Sequence, residues 1–279
     1  MPVETRQTDF VKRVLALTLV ATLAACAAPT ISDEEELGRQ AAQEVRRHAR
    51  VLYDDVVVAY VEDIGQRLVQ AAGPQPFEYS FTVLEDDTLN ASATFGGNIF
   101  VHSGLITRTR NVSELAGVLG HEVGHVVKRH VADNAARAQN MGLLRQAVAI
   151  GGAIGGIHPA ATNMLTGYGA MGILNTFQRE AEEEADAFAV EVVPRAGYHP
   201  DGIANFFDVM TASGQRQPPA FFSSHPASAE RSAATRALIA DLKLAGELKV
   251  DDNGKLEIIQ HRIRLLTKAR EKQADDRLR

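Results

Sequence analysis

Hydrophobic and polar positions divide the chain into segments of different period. An apolar run, VLALTLVATLAA, follows the basic residues Arg6, Lys12 and Arg13 and ends in LAAC. From Ser32 the pattern turns polar and helical. Ser32 with Glu35 offers a capping box, and acids in the first turn suit the helix dipole, which predicts a helix to about Arg50. Apolar residues at Val57, Tyr60, Val61, Ile64 and Leu68 recur at helical spacing and predict a second helix over 55–72, broken by GPQP. The period then becomes two. FEYSFTVL at 77–84 alternates as a strand does, and ASATFGGNIFVHSGL holds two short extended runs around Gly96-Gly97, the pattern of a hairpin. Asn111 with Glu114 makes a second capping box, opening a long helix that contains VLGHEVGHVVKRH at 118–130.

The second half is mostly helical. Residues 142–175 are apolar and rich in Gly, Ala and Met, interrupted by Arg145 and by His158-Pro159 before any span reaches membrane length. Close-packed helices or a flap over the site are one reading of this stretch, and a re-entrant membrane segment is the other. An acidic helix follows over 177–193, ended by Pro194, with a turn at AGYHPDG and a further helix to about Ser213. GQRQPPAFFSSHPAS reads as loop, helical sequence resumes near Ala229, and a charged tail helix starts near Lys255 after DDNG. No internal repeat is present. The fold class predicted is α+β, mainly helical with a small antiparallel sheet.

Composition adds limits. The chain has 279 residues, 45% hydrophobic and 23% charged, enough for one sizeable core. A net charge of −6 gives no broad basic surface, so no nucleic-acid partner is expected. The N-terminal run is about the length of a signal-peptide core and shorter than the ~20 residues of a membrane span. It ends at Cys26, the only cysteine, as a bacterial lipoprotein signal does. A simple secretory signal or a plain membrane anchor are the alternatives. On the lipoprotein reading, 1–25 is removed, Cys26 is lipidated, 26–31 is linker, and Ala27 after the cysteine places the protein in the outer-membrane sorting class. The mature charge is then −7, which does not favour anionic lipid heads, so the lipid on Cys26 is the expected membrane attachment. With no second cysteine, stability must come from the core.

The chemistry centres on HEVGH. At about 100° per residue, His121 and His125 stand roughly 40° apart on one helix face, and Glu122 sits beside them, placed to serve a water rather than to ligate. Two neutral imidazoles and a carboxylate suit Zn²⁺, with Glu122 as general base. HExxH alone is a common enough chance match that a helix with two packed histidines is the competing reading. His130 lies about 180° from His121 if the helix continues, and reads as structural or solvent-facing. A third histidine ten residues after the first is excluded, because that position is Val131. The third ligand must come from elsewhere, and REAEEEADAFA at 179–189 offers candidates, against the reading of an acidic cluster as a solvated face. Of its five carboxylates, Glu182 and Asp186 share a face with Ala185 and Ala189, where small residues admit close helix packing. Glu182 is the expected ligand and Asp186 the acceptor behind a ligand histidine. Glu180, Glu183 and Glu184 point to water.

HEVGH followed by this acidic motif resembles the HtpX / CAAX prenyl protease family of zinc metallopeptidases, in its periplasmic, lipid-anchored, LoiP/BepA-like branch. DDTLNASATFGGNIFVHSGLI resembles the hairpin ahead of the family's metal helix, with Thr94-Phe95 in place of Leu-Pro. AGYHP and HPASAER resemble two later motifs, and the likeness spans about residues 32–235. It implies a zincin-like fold whose edge strand flanks the active-site helix, one Zn²⁺ on His121, His125 and Glu182, and a charged helical tail over 236–279. It makes the strand at Asn90 and Ala91 a substrate-binding edge, against the alternative of a turn-holding asparagine. It also puts His225 near the zinc, stabilising an oxyanion or latching the site, against a plain loop residue, with Arg231 tying that loop to the acidic helix. The function implied is a zinc metalloendopeptidase at the periplasmic face of the envelope, acting on misfolded or stalled envelope proteins in quality control. The rivals are an assembly factor or holdase with latched or structural zinc, and a protein that only stores or senses zinc.

Overall fold

The computed structural model describes residues 28–138, 177–212, 221, 225 and 229–278. The signal segment, Cys26 and the stretch 142–175 lie outside the described residues. Residues 31–131 and 175–279 form one compact unit, which holds the candidate site. Its elements are α1 (Ile31–His48), α2 (Asp55–Ala72), β1 (Ser80–Leu84), β2 (Ala91–Ala93), β3 (Asn98–His102), α3 (Ser103–Arg108), α4 (Val112–Val127), α5 (Arg179–Arg195), α6 (Asp201–Ala212), α7 (Ala229–Ala240) and α8 (Lys255–Leu278).

The predicted hairpin is present. β2 pairs antiparallel with β3 from Ala91↔Val101 to Ala93↔Ile99, across a single 3₁₀ turn at Phe95–Gly97. Gly96 (φ 65°) and Gly97 (φ 81°) supply the left-handed backbone that the turn needs. Thr94 is extended (φ −130°), so Thr94-Phe95 imposes no special conformation. The sheet as a whole corrects the expectation of an antiparallel one. Strand order is β1-β3-β2, and β1 runs parallel to β3, from Ser80↔Asn98 to Leu84↔His102. The chain leaves β1 and reverses into β2, but β1 sits on the far side of β3 and so shares its direction. Strand alternation predicts which residues extend, not which neighbour each strand takes.

The centre of the unit is α4, in which every residue from Val112 to Val126 is buried. Its N-terminus forms as the capping pattern predicts, with Asn111 Oδ1 accepting from the Glu114 amide at 3.0 Å. Glu114 reaches back one residue further than a capping box requires, accepting from the Arg110 amide at 2.7 Å. Close approach on two sides sets the helix's position. A Cβ on Gly117 would lie 2.6 Å from the Ile203 amide of α6, and one on Gly124 would lie 3.2 Å from Ala185 Cα of α5. The small face of α5 therefore meets α4, as Ala185 and Ala189 predict, and brings the acidic helix within reach of the histidines. Pro194 stands inside the last turn of α5, which continues to Arg195. The tail helix α8 buries Leu256, Ile259 and Ile263, and Gln260 donates to the carbonyls of Ile106 and Thr109 at 3.0 and 2.7 Å. No described helix is long and apolar enough to cross a membrane.

Candidate metal centre

One helical turn separates His121 from His125 on α4, and their Nε2 atoms lie 3.0 Å apart. From α5, Glu182 places Oε2 3.5 Å from His121 Nε2 and Oε1 3.4 Å from His125 Nε2. His225 completes the group, with Nδ1 3.2 Å from His121 Nε2 and 2.9 Å from Glu182 Oε1. One donor atom from each of these four residues lies within 4.8 Å of the others, and none of the four side chains is more than 1% exposed. A tetrahedral site with ligands about 2.0–2.1 Å from its centre has edges of roughly 3.3–3.4 Å between donors. The separations above cluster around that value. Three imidazoles and a carboxylate are also a donor set that suits zinc.

The charge balance points the same way. Burial disfavours a charged His121, but Asp186 and Glu182 outweigh burial and push its pKa up to about 9. Burial would likewise raise Glu182, yet His225, His121 and His125 hold its carboxyl far below the usual range. Burial dominates at His125, whose pKa falls well below normal despite the attraction of Glu182. Asp186 and Glu182 thus favour positive charge beside His121, which a divalent cation would supply.

Glu122 is fully buried, and neither of its carboxylate oxygens has a hydrogen-bond partner among the described residues. The nearest ring nitrogen is His225 Nε2, 3.3 Å from Oε1. A buried carboxylate left unsatisfied is costly, and a functional site is where that cost is borne. Behind the cluster, Asp186 Oδ1 lies 2.9 Å from His121 Nδ1, an ion-pair contact rather than an aligned hydrogen bond. Arg231 of α7 donates to both Asp186 oxygens at 2.8 Å and sits 2.6 Å from Glu182 Oε2 through Nη1. The structure thus brings His121, Glu122, His125, Glu182, Asp186, His225 and Arg231 together.

The edge strand is more divided. The Asn90 carbonyl accepts from the His102 amide at 3.1 Å, so Asn90 bonds inward, to the chain at the end of β3. By register, the amides and carbonyls of Ala91 and Ala93 face the other way. Both alanines are buried, at 0% and 1% exposure, so this edge is covered. The Leu89 carbonyl, next outward-facing in sequence, accepts from the Phe221 amide at 3.2 Å, and the Phe221 carbonyl accepts from the His225 amide at 2.8 Å. The residue that enters the donor cluster is thus tethered beside β2.

Sequence reasoning missed three neighbours. Phe177 stacks on His125 (3.8 Å, 19°) and Phe221 on His225 (4.6 Å, 22°). His130, expected on the opposite side of a continuous helix, instead lies under His125, with the two Nδ1 atoms 2.9 Å apart. The helix breaks after Val127 because Arg129 adopts a left-handed backbone (φ 58°), and no Gly or Pro marks that break. The aromatics carried no spacing signal.

The resemblance read from the sequence is borne out by comparison with known proteins. Residues 57–239 match peptidase family M48. The beta-barrel assembly-enhancing protease of Escherichia coli (strain K12) is 30% identical over 213 residues, covering 74% of this chain and 44% of that protein. Metalloprotease LoiP of the same organism is 32% identical over 157 residues, covering 56% and 60%. The mitochondrial metalloendopeptidase OMA1 of Schizosaccharomyces pombe is 29% identical over 174 residues, covering 62% and 50%. The chain spans less than half the length of the assembly-enhancing protease it matches. With the family match running from α2 through α7 and enclosing every residue of the cluster, the chain belongs to peptidase family M48.

Proposed function

We propose that this chain is a zinc endopeptidase of the bacterial envelope, tethered by a lipid on Cys26 and facing the periplasm from the outer membrane. Residues 32–235 form its peptidase domain and 236–279 a helical tail. The observation that carries the reading is Glu122: buried, without a hydrogen-bond partner among the described residues, and beside four converging donor atoms. His121, His125 and Glu182 would hold the zinc. When bound, zinc supplies Lewis-acid chemistry, lowering the pKa of water to about 7 and polarising a carbonyl. Glu122 takes a proton from the attacking water and delivers it to the amine leaving from the broken C–N bond. Asp186 holds His121 in place, and Arg231 holds Asp186 and Glu182. The amides and carbonyls of Ala91 and Ala93 that face away from β3 are covered at rest, and once uncovered they would suit pairing with an extended substrate backbone, which gives affinity with little sequence preference.

His225 fits a resting latch. Its Nδ1 stands among the metal donors and its Nε2 beside Glu122, where water and substrate must come. Moving His225 and Phe221 away together would free the donor cluster and the Leu89 carbonyl next to β2. Substrates with exposed backbone, misfolded or stalled envelope proteins, match an edge-strand reader. The likeness to the beta-barrel assembly-enhancing protease supports an envelope quality-control role. The test is cleavage of an unfolded protein by the zinc-loaded chain and by Glu122→Gln. The variant is expected to keep its zinc and lose cleavage; a variant that keeps both sinks the mechanism.

A further inference from the structure

The hydrogen bond between His125 and His130 joins the second histidine of HEVGH to a residue outside that motif. α4 ends at Val127, and the turn through Lys128 and left-handed Arg129 swings His130 back beneath the histidine five residues earlier. That turn is held from α1, where Glu34, 2% exposed, accepts from Arg129 Nε at 2.7 Å. A non-glycine residue in the left-handed region carries strain, and the ion pair of half-buried Arg129 with buried Glu34 helps to maintain it here. The outcome is a buried His130, 6% exposed, with its ring centroid 5.0 Å from that of His125.

The proton positions along this path follow one from the next. His125 Nε2 faces His121 and Glu182, so it must present a lone pair to hold a metal. Its proton is then on Nδ1, which donates to His130 Nδ1 at 2.9 Å. His130 must accept there, so its own proton is on Nε2, which faces Glu184 Oε2 at 3.4 Å. Glu184 is more than half exposed, so its carboxylate ends the path at the protein surface. His121 is backed differently, by the buried Asp186 at 2.9 Å. The two helix histidines therefore have separate supports, one a buried carboxylate and the other a neutral imidazole leading to a surface carboxylate.

We infer that His130 is a positioning residue for the metal, fixing the tautomer and ring orientation of His125 by accepting from its Nδ1–H, with Glu184 fixing His130 in turn. Phe177 stacked on His125 confines the ring from its face, and His130 sets its rotation within that plane. The inference rests on the reading of the cluster as a zinc site. Outer partners of this kind typically contribute about 10–100-fold to metal affinity.

The test uses the full chain as wild type, His130→Leu and His130→Asn. Leucine keeps the volume and removes the acceptor. Asparagine places an oxygen where Nδ1 stands and keeps it. Zinc affinity is measured by competition with a chelator, and the visible absorption of the cobalt-loaded forms reports ligand geometry. His130→Leu is expected to weaken zinc by about 10–100-fold and to alter the cobalt spectrum, and His130→Asn to recover most of both. Should the leucine variant not fold, the asparagine variant still decides, since the inference requires it to bind zinc nearly as wild type does. A wild type that holds zinc and a leucine variant that holds it as tightly, with the same cobalt spectrum, overturn this inference alone. An asparagine variant as weak as leucine overturns the acceptor role. A wild type that takes up no zinc overturns the metal reading and this inference with it.

Discussion

Replacing Arg231 by methionine isolates the contribution of the support behind the metal ligands. The residue is 4% exposed, and its aliphatic stem carries a guanidinium that donates to both oxygens of Asp186, pairs with Glu182 and lies 5.0 Å from the centroid of the Phe207 ring. Methionine keeps most of that stem and removes all the charge. Two buried carboxylates then lose their shared cation. Removing one partner from a buried ion pair costs about 3–5 kcal/mol, because the remaining charge cannot be solvated. For a domain near 200 residues each kcal/mol moves Tm by about 2–4 °C, so the metal-free variant should melt roughly 6–20 °C below wild type. Zinc supplies positive charge next to Glu182, so the deficit should shrink in zinc-loaded protein. Arg231→Lys should fall between, since a single ammonium cannot reproduce the two-pronged contact with Asp186. Differential scanning calorimetry of the zinc-free and zinc-loaded forms measures all of this. A metal-free Arg231→Met melting within about 2 °C of wild type would refute the reasoning.

Other predictions follow from the same contacts. Glu182→Gln should lose zinc, read as metal per chain after dialysis; full retention would move the third ligand to another carboxylate. Gly117→Ala puts a Cβ against the backbone of Ile203 and should destabilise by about 1–3 kcal/mol or more in urea unfolding, whereas a neutral result would show that α6 can yield. Asp54 caps α2 and accepts from Arg262 of α8, which with the cap bonds holds its carboxyl below the usual range against the effect of burial. Its contribution to stability is present above the unfolded pKa of about 3.9 and is lost as pH falls through the lower folded value. Asp54→Asn keeps the cap, so it should lower stability at neutral pH and flatten the acid limb of the stability curve; an unchanged limb would contradict this.

Much of the site was legible because two helices carry it. Periodicity placed His121 and His125 on one face with Glu122 beside them, and the pairing of Glu182 and Asp186 with Ala185 and Ala189 marked the face of α5 that meets them. His225 came only through the family motif, since a loop has no period from which to infer direction, and Arg231, at the start of α7, came through the same motif. The parallel placement of β1 was not legible, because alternation says nothing about neighbours. His130 was misplaced for a specific reason. Helical angle arithmetic assumes a continuous helix, and the break at Arg129 is stabilised by Glu34, almost a hundred positions earlier in the chain. Phe177 and Phe221 had no pattern of their own until the fold stacked them on the histidines.

One set of rates distinguishes a Glu122-driven zinc peptidase held shut by His225 from its alternatives. Cleavage of an unfolded protein is compared for zinc-loaded wild type, His225→Ala and the double variant Glu122→Gln/His225→Ala. Cleavage by His225→Ala is expected to be faster than by wild type, and cleavage by the double variant no higher than background, with zinc bound in all three. A double variant that cleaves as fast as His225→Ala would contradict the mechanism, because the proton transfers assigned to Glu122 would then be carried elsewhere.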